Sequence, residues 1–236
     1  MEHKIKKKKN HREQHEKGKF IRHIIFGAED GLISTVGFLS GITGADLPQV
    51  AIVIAGITQV FAAAFSMGIG TYLSSKSQTE VVKRNIEQEK EEIEKTPRRE
   101  RKEIEILYRK KGFTGKELKT IVERICSNKE VLLNEMTLSE LGIIPGKFEN
   151  ALKSALVMFL SFTILAMIPL SPYLFLPIDT AIIISISLTA ITLFIVGAVK
   201  TRLTKRNFIY SGLEMLLFGL VAAGITYIIG EFISTL

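Results

Sequence analysis

The sequence predicts an all-α fold: a polytopic membrane protein with five transmembrane helices and a large helical insert on the cytoplasmic side. Three observations lead there. Apolar residues are gathered into long blocks rather than spread through the chain. The connections between those blocks alternate between basic and non-basic. The one long polar stretch carries helix start and stop signals and no strand alternation.

The chain has 236 residues, 47% of them hydrophobic, and a net charge of +7. A helix rising ~1.5 Å per residue needs about twenty apolar residues to cross ~30 Å of hydrocarbon. Such blocks are expected near Phe20–Ala45, Leu47–Leu73, Ala151–Leu170, Pro177–Val199 and Phe208–Ile233. The N-terminus is strongly basic, whereas the first short loop, around Asp46 and Pro48, has no Lys or Arg. The segment Ser74 to Asn150 is full of them, and the loop Ser171 to Pro177 has none. The next connection holds Lys200, Arg202, Lys205 and Arg206, and the tail after Gly230 again has none. By the positive-inside rule the N-terminus and the insert are cytoplasmic and the C-terminus is outside.

Four regions follow: a basic tail (1–19), spans one and two (20–73), the insert (74–150) and spans three to five (151–236). The Lys-rich tail repels itself and is expected to be disordered. It adjoins a span, so anionic lipid rather than nucleic acid is its expected partner. No cleavable signal peptide is expected, because the apolar stretch after it is long and contains Glu29 and Asp30. A prokaryotic plasma membrane fits these features. The single cysteine, Cys126, excludes an internal disulfide framework and reads as a reduced structural thiol.

The insert reads as helices throughout. A charged helix, Gln78 to Lys95, continues from span two. Thr96-Pro97 ends it and starts another, with Pro97 suited to a first helical position. Thr114-Gly-Lys-Glu117 has the pattern of a capping box. A last short helix covers roughly Lys129 to Leu141, and Pro145-Gly146 breaks the chain before span three.

Several residues suggest chemistry. Asp30 lies eight residues after Arg22, roughly 12 Å along a helix, and so within the first span. A carboxylate there costs at least ~2.5 kcal/mol and faces a cavity or a partner. It is either a structural carboxylate paired near the mouth or a cation ligand or proton carrier. Met67, nine residues before Lys76 on the returning span, is expected at a similar depth. Met is ordinarily packing. A thioether level with a carboxylate, however, suits a first-row transition metal better than Mg²⁺ or Ca²⁺. Glu29 and Glu214 are further carboxylates within spans, Glu214 with Lys205 or Arg206 as its expected partner. Gly27 with Gly31, and Gly37 with Gly41, have the spacing of close helix contacts, within one chain or between two.

In the insert, Glu89, Glu92, Glu100 and Glu103 form one stripe if the helix is continuous, or face one another across a bend at Pro97. A solvated Glu/Lys face is the plainer reading. Met136 and Glu140 lie one turn apart further on.

Taken together these residues resemble the vacuolar iron transporter family, whose members carry Fe²⁺ or Mn²⁺. The resemblance covers nearly the whole chain after Lys19. Its anchors are Phe26-Gly-Ala-Glu-Asp-Gly-Leu-Ile-Ser34 and the Gly-rich run to Ala45, Ser66-Met-Gly-Ile-Gly70, and Tyr72-Leu-Ser with Ser77-Gln78. Glu140-Leu-Gly142, Ser161-Phe and Pro169-Leu-Ser-Pro-Tyr173 complete them. The resemblance implies a homodimer, a path between subunits and exchange of metal for protons. It implies that Asp30 and Met67 line that path. It also implies that Glu89, Glu92, Glu100, Glu103, Met136 and Glu140 bind the metal before transport. Glu29 and Glu214 are added as accessory carboxylates from their place within spans, not from the resemblance. Thr137, Gln59 and Thr71 depart from the residues some members carry there.

The expected function is export of Fe²⁺ or Mn²⁺ by proton antiport, the ion being cargo, with no prosthetic group. The expected partners are a second copy, the lipid bilayer, metal ions and protons. A metal sensor or structural membrane protein without flux is the alternative. No enzyme is expected: ferritin-type di-iron sites use Glu-x-x-His pairs. The four histidines here are His3, His11, His15 and His23, all outside the insert.

Overall fold

The computed structural model describes residues 2–140, 142, 150–204 and 207–235, the side chains of 2–17, 19 and 202–204 excepted. Its elements are eight helices, and no strand occurs among the described residues. They are α1 (Glu2–Gly44), α2 (Gln49–Lys95), α3 (Pro97–Lys110), α4 (Gly115–Cys126), α5 (Lys129–Glu140), α6 (Ala151–Phe175), α7 (Ile178–Thr204) and α8 (Phe208–Ser234). The chain divides into two compact units, one of residues 1–73 with 151–236 and one of residues 74–150.

Five helices of the first unit are long and apolar enough to span a bilayer: Phe20–Gly44, the apolar part of Gln49–Lys95, Ala151–Phe175, Ile178–Thr201 and Phe208–Ser234. The fold class and the number of spans are as the sequence predicts. Large apolar side chains cover the outer faces, among them Ile54, Phe61, Phe65, Ile69 and Leu73 of α2. An apolar surface of that extent is stable in lipid, not in water.

The first span is the enclosed one: half of its apolar window is buried, against 17% for α8. Glycine makes that possible. A Cβ on Gly31 would lie 2.7 Å from the Phe162 carbonyl oxygen of α6, and one on Gly27 would lie 3.0 Å from that of Met158. Gly41 comes similarly close to Thr226 of α8. Both glycine pairs therefore serve packing within one chain. The Ser161 hydroxyl adds an interhelical bond, donating to the Ile24 carbonyl at 2.6 Å. Around this seam Leu39, Val60, Ala64, Phe162, Ala166 and Leu170 form the main apolar core.

One sequence expectation about the membrane unit is corrected. The third span is expected to end at Leu170, yet α6 runs through Pro169 and Pro172 to Phe175. Pro172 strips the Ile168 carbonyl of its helical donor, and the Ser171 hydroxyl supplies another. The Ser185 hydroxyl of α7 donates to the Pro169 carbonyl and ties α7 to α6. Gln49, at the start of α2, caps the helix end by donating from Nε2 to the carbonyls of Tyr173 and Leu176, at 2.9 and 2.7 Å. Prolines are tolerated in membrane helices on these terms.

In the insert, α3 starts with Pro97 at its first turn, as its sequence signal predicts. The capping box at Thr114 is not made: Thr114 is the N-cap of α4, but its side chain makes no cap bond. Gly115 follows at φ +55°, which turns the first helical amides away from the hydroxyl. Asn128 caps α5, accepting from the amides of Glu130 and Val131. The Pro145-Gly146 break lies outside the described residues.

Gly31→Val is expected to force α1 off the α6 backbone and destabilise the solubilised protein by about 1–3 kcal/mol. An earlier thermal midpoint is the readout. Gly70→Ala, which meets open space, is expected to cause no such loss.

Candidate metal site

The insert folds around its own apolar core. Ile93 of α2, Ile104 of α3, Leu118, Val122 and Ile125 of α4, and Leu132 and Met136 of α5 are buried together. This core lets α3, α4 and α5 fold into a small domain and carry a charged surface. Against it stands a cluster of carboxylates.

The helix breaks between Lys95 and Pro97, so Glu89 and Glu92 on α2 face Glu100 and Glu103 on α3 across the bend. The continuous stripe is thus excluded. Glu140, at the end of α5, joins them and hydrogen-bonds with Glu103. Glu89 and Glu100 are buried, and no N–H or O–H donor reaches Glu89 Oε1 or either Glu100 oxygen. The bond between Glu140 and Glu103 requires that one of those two carboxyls hold a proton.

The electrostatics follow. Burial pushes the Glu89 carboxyl up to about 7, and the charges of Glu100, Glu140, Glu92 and Glu103 add to it. Burial likewise raises Glu100, with Glu103 and Glu92 adding and Arg99 opposing. Glu140 is raised by burial first, then by its bond to Glu103 and by the surrounding charges. Like carboxylates in one place cannot all ionise cheaply. A proton relieves that repulsion, and so does a dication.

The five carboxylates do not form a finished ligand set. Among the described residues no three His, Cys, Asp or Glu side chains converge closely enough to hold one ion. Two cluster members point instead at donors on their own helices. Gln88 Nε2 donates to Glu92 at 3.0 Å, and Arg99 Nε donates to Glu103 at 2.9 Å. The sequence reading passed over both donors, although each lies one turn from its glutamate. Met136 is 1% exposed within the apolar core, and the Thr137 hydroxyl donates to the Leu133 carbonyl of its own helix.

A second polar group holds α5 in register with α3. Glu135 Oε1 accepts from the Tyr108 hydroxyl at 3.0 Å, Lys111 Nζ at 3.0 Å and the Ser139 hydroxyl at 3.3 Å. Burial alone would raise Glu135, yet these donors and the Lys111 charge hold its carboxyl below the usual range. Its hydrogen bond to Glu135 and burial push Tyr108 up to about 12, burial being the larger cause. Since Glu135 meets the C-terminal end of α3 while Glu140 meets Glu103 nearer its start, the two helices run antiparallel.

In the membrane unit, Asp30 is half-buried on α1 and beside Gly31. Its carboxylate has no ion-pair partner among the described residues. Glu29 is half-buried next to it. Met67 packs against the main core. Gly31 meets α6 at Phe162 and Gly68 meets it at Phe159, so Asp30 and Met67 lie within about a turn of each other in depth. Thr35, fully buried, donates to Gln59 Oε1 of α2 at 3.4 Å. Glu214 is exposed on α8, and its expected partners Lys205 and Arg206 lie outside the described residues.

The VIT family model matches residues 21–231 of this chain. The chain belongs to the VIT family. Among similar proteins, the "Vacuolar iron transporter" of Plasmodium berghei (strain Anka) is 34% identical over 237 residues, covering 95% of this chain and 86% of the relative. The "Vacuolar iron transporter" of Centaurea cyanus is 33% identical, covering 92% and 89%. The "Vacuolar iron transporter 1" of Tulipa gesneriana is 32% identical, covering 91% and 87%. This VIT-family chain thus spans most of the length of each.

The raised carboxyl of Glu89 gives the insert a pH signature. A carboxyl raised in the folded state stabilises fully below the unfolded value of 4.5, and that contribution is lost as pH rises through about 7. In chelator-stripped protein, carboxyl NMR is expected to show Glu89 titrating near neutrality. Glu89→Gln is expected to flatten the pH dependence of the insert's stability over this window. A Glu89 titrating in the ordinary carboxylate range overturns the assignment.

Proposed function

We propose that this protein carries Fe²⁺ or Mn²⁺ out of the cytoplasm in exchange for protons, as a homodimer. Membership of the VIT family and the names of its relatives support metal-ion transport. The observation that carries the reading further is Asp30: a carboxylate half-buried in the enclosed span, with no ion-pair partner among the described residues. Such a group is expensive in a bilayer unless ions or protons use it.

The insert collects the ion. Glu89, Glu92, Glu100, Glu103 and Glu140 concentrate negative charge and draw dications, as a surface lined with one sign of charge does. Met136 lies one turn from Glu140 and supplies a soft donor once it turns out of the core. The ion then meets Asp30 and Met67. Two Asp30 carboxylates, one from each subunit, neutralise a dication. The Met67 thioether favours first-row metals over Ca²⁺ and Mg²⁺, which take oxygen ligands. Glu29 and Glu214 are accessory carboxylates. Protons arriving from outside compete for Asp30 and release the metal. Gln59 cannot carry a proton between carboxylate and water, and its hydrogen bond to Thr35 ties α1 to α2, which leaves Asp30 as the proton-carrying group. The alternation of basic connections supports a cytoplasmic N-terminus and insert and an external C-terminus.

Liposomes holding a Mn²⁺-quenched dye test this. Wild-type protein is expected to quench the dye at a rate set by the proton gradient. Asp30→Ala is expected to reduce quenching to that of empty vesicles while Mn²⁺ binding to the insert persists. Normal flux through Asp30→Ala removes Asp30 from the path. Binding without quenching by the wild type makes the protein a sensor.

A further inference from the structure

We infer that Arg99 is a built-in competitor for the metal ion at the carboxylate cluster of the insert. The inference rests on the reading of that cluster as a metal site. Arg99 lies one turn before Glu103 on α3, and its Nε donates to Glu103 Oε1 at 2.9 Å. It is also within electrostatic reach of Glu92 and Glu100. The other ion pairs described in the insert use carboxylates outside the cluster: Glu80, Glu87, Glu91, Glu94, Glu105, Glu123 and Glu135. Arg99 places its charge on one of the five that matter. The Gln88 amide holds Glu92 in a comparable way, but it carries no charge.

A helix brace is the simpler role, and it is a weak one. The Arg99 side chain is 67% exposed, and exposed pairs one turn apart contribute little to stability. The effect on a bound dication is larger. A metal ligated by Glu103 shares that carboxylate with the guanidinium on its Oε1. Arg99 cannot lose its charge to make way, so it stays near and repels the ion. At a separation of several ångströms in water, one charge against two changes affinity by about three- to tenfold. The repulsion is screened by salt. A transporter has a use for this. An ion on a conduction route must be bound well enough to enter and weakly enough to leave.

The test is calorimetric titration of Mn²⁺ into the full-length, detergent-solubilised, chelator-stripped protein. Arg99→Gln is expected to bind about three- to tenfold more tightly than wild type at low ionic strength, and the gain is expected to shrink in high salt. Arg99→Lys, which keeps the charge, is expected to stay near wild type. Arg109→Gln removes the same charge from a pair outside the cluster and is expected to change nothing. Adding Glu103→Gln to Arg99→Gln is expected to abolish the gain. The inference is overturned if Arg99→Gln binds equally or more weakly, or if Arg109→Gln gains as much. Glu100→Gln separates the two levels. If it weakens binding while Arg99→Gln gains nothing, only the role of Arg99 falls. If it leaves binding untouched, the cluster is not the site and both readings fall.

Discussion

The close seating of α1 against α6 and α8 is the constraint on which the membrane unit depends. Apolar helices gain nothing by leaving lipid for one another, so their association relies on contact and hydrogen bonding. Glycines at 27, 31 and 41 bring backbone to backbone, and Ser161 bonds across the seam. The consequence reaches Asp30. It sits between Gly27 and Gly31, so the residues that seat the helix also fix where the carboxylate goes. A carboxylate on an outer span could turn to the lipid interface. One on this span is held half-enclosed at the depth of Met67.

The insert meets the opposite difficulty. Its carboxylates are crowded rather than isolated. Glu89 and Glu100 are buried without donors, an arrangement that folding alone would not favour. The apolar core and the three-donor grip on Glu135 stabilise the domain enough to tolerate it. Local violations of this kind concentrate where a protein acts. Glu135 shows the contrast within one helix. It has three donors and is held ionised, whereas Glu140, five residues on, has another carboxylate as its partner.

Much of the fold was legible in the sequence because the bilayer imposes a length and a polarity on each span. The unread parts have a common cause. The third span runs past two prolines to an end that Gln49 caps, and Ser185 of α7 bonds to it on the way, both far away in sequence. No local pattern announces those bonds. The capping box failed for a local reason, the left-handed Gly115, that a motif of residue types does not encode. Of the glutamates, the spacing allowed a stripe or a fold-back, and tertiary packing chose the fold-back. Arg99 and Gln88 were readable in principle, each one turn from a glutamate. They went unnoticed because such pairs are common on solvated helices, and their meaning depends on what faces them.

The proposed function sets one ion two different problems, and the two units treat carboxylates accordingly. In the insert several acidic groups share the repulsion, and Arg99 already satisfies part of their charge. On the proposed reading, binding there displaces protons and competes with a guanidinium, so its net strength is modest and it responds to pH and salt. In the span, Asp30 has no internal cation to displace among the described residues. A dication there replaces water rather than a competing side chain, in surroundings where each charge counts for more. On that reading affinity rises from collector to path without any change in ligand type. It is set by what else holds the same oxygens.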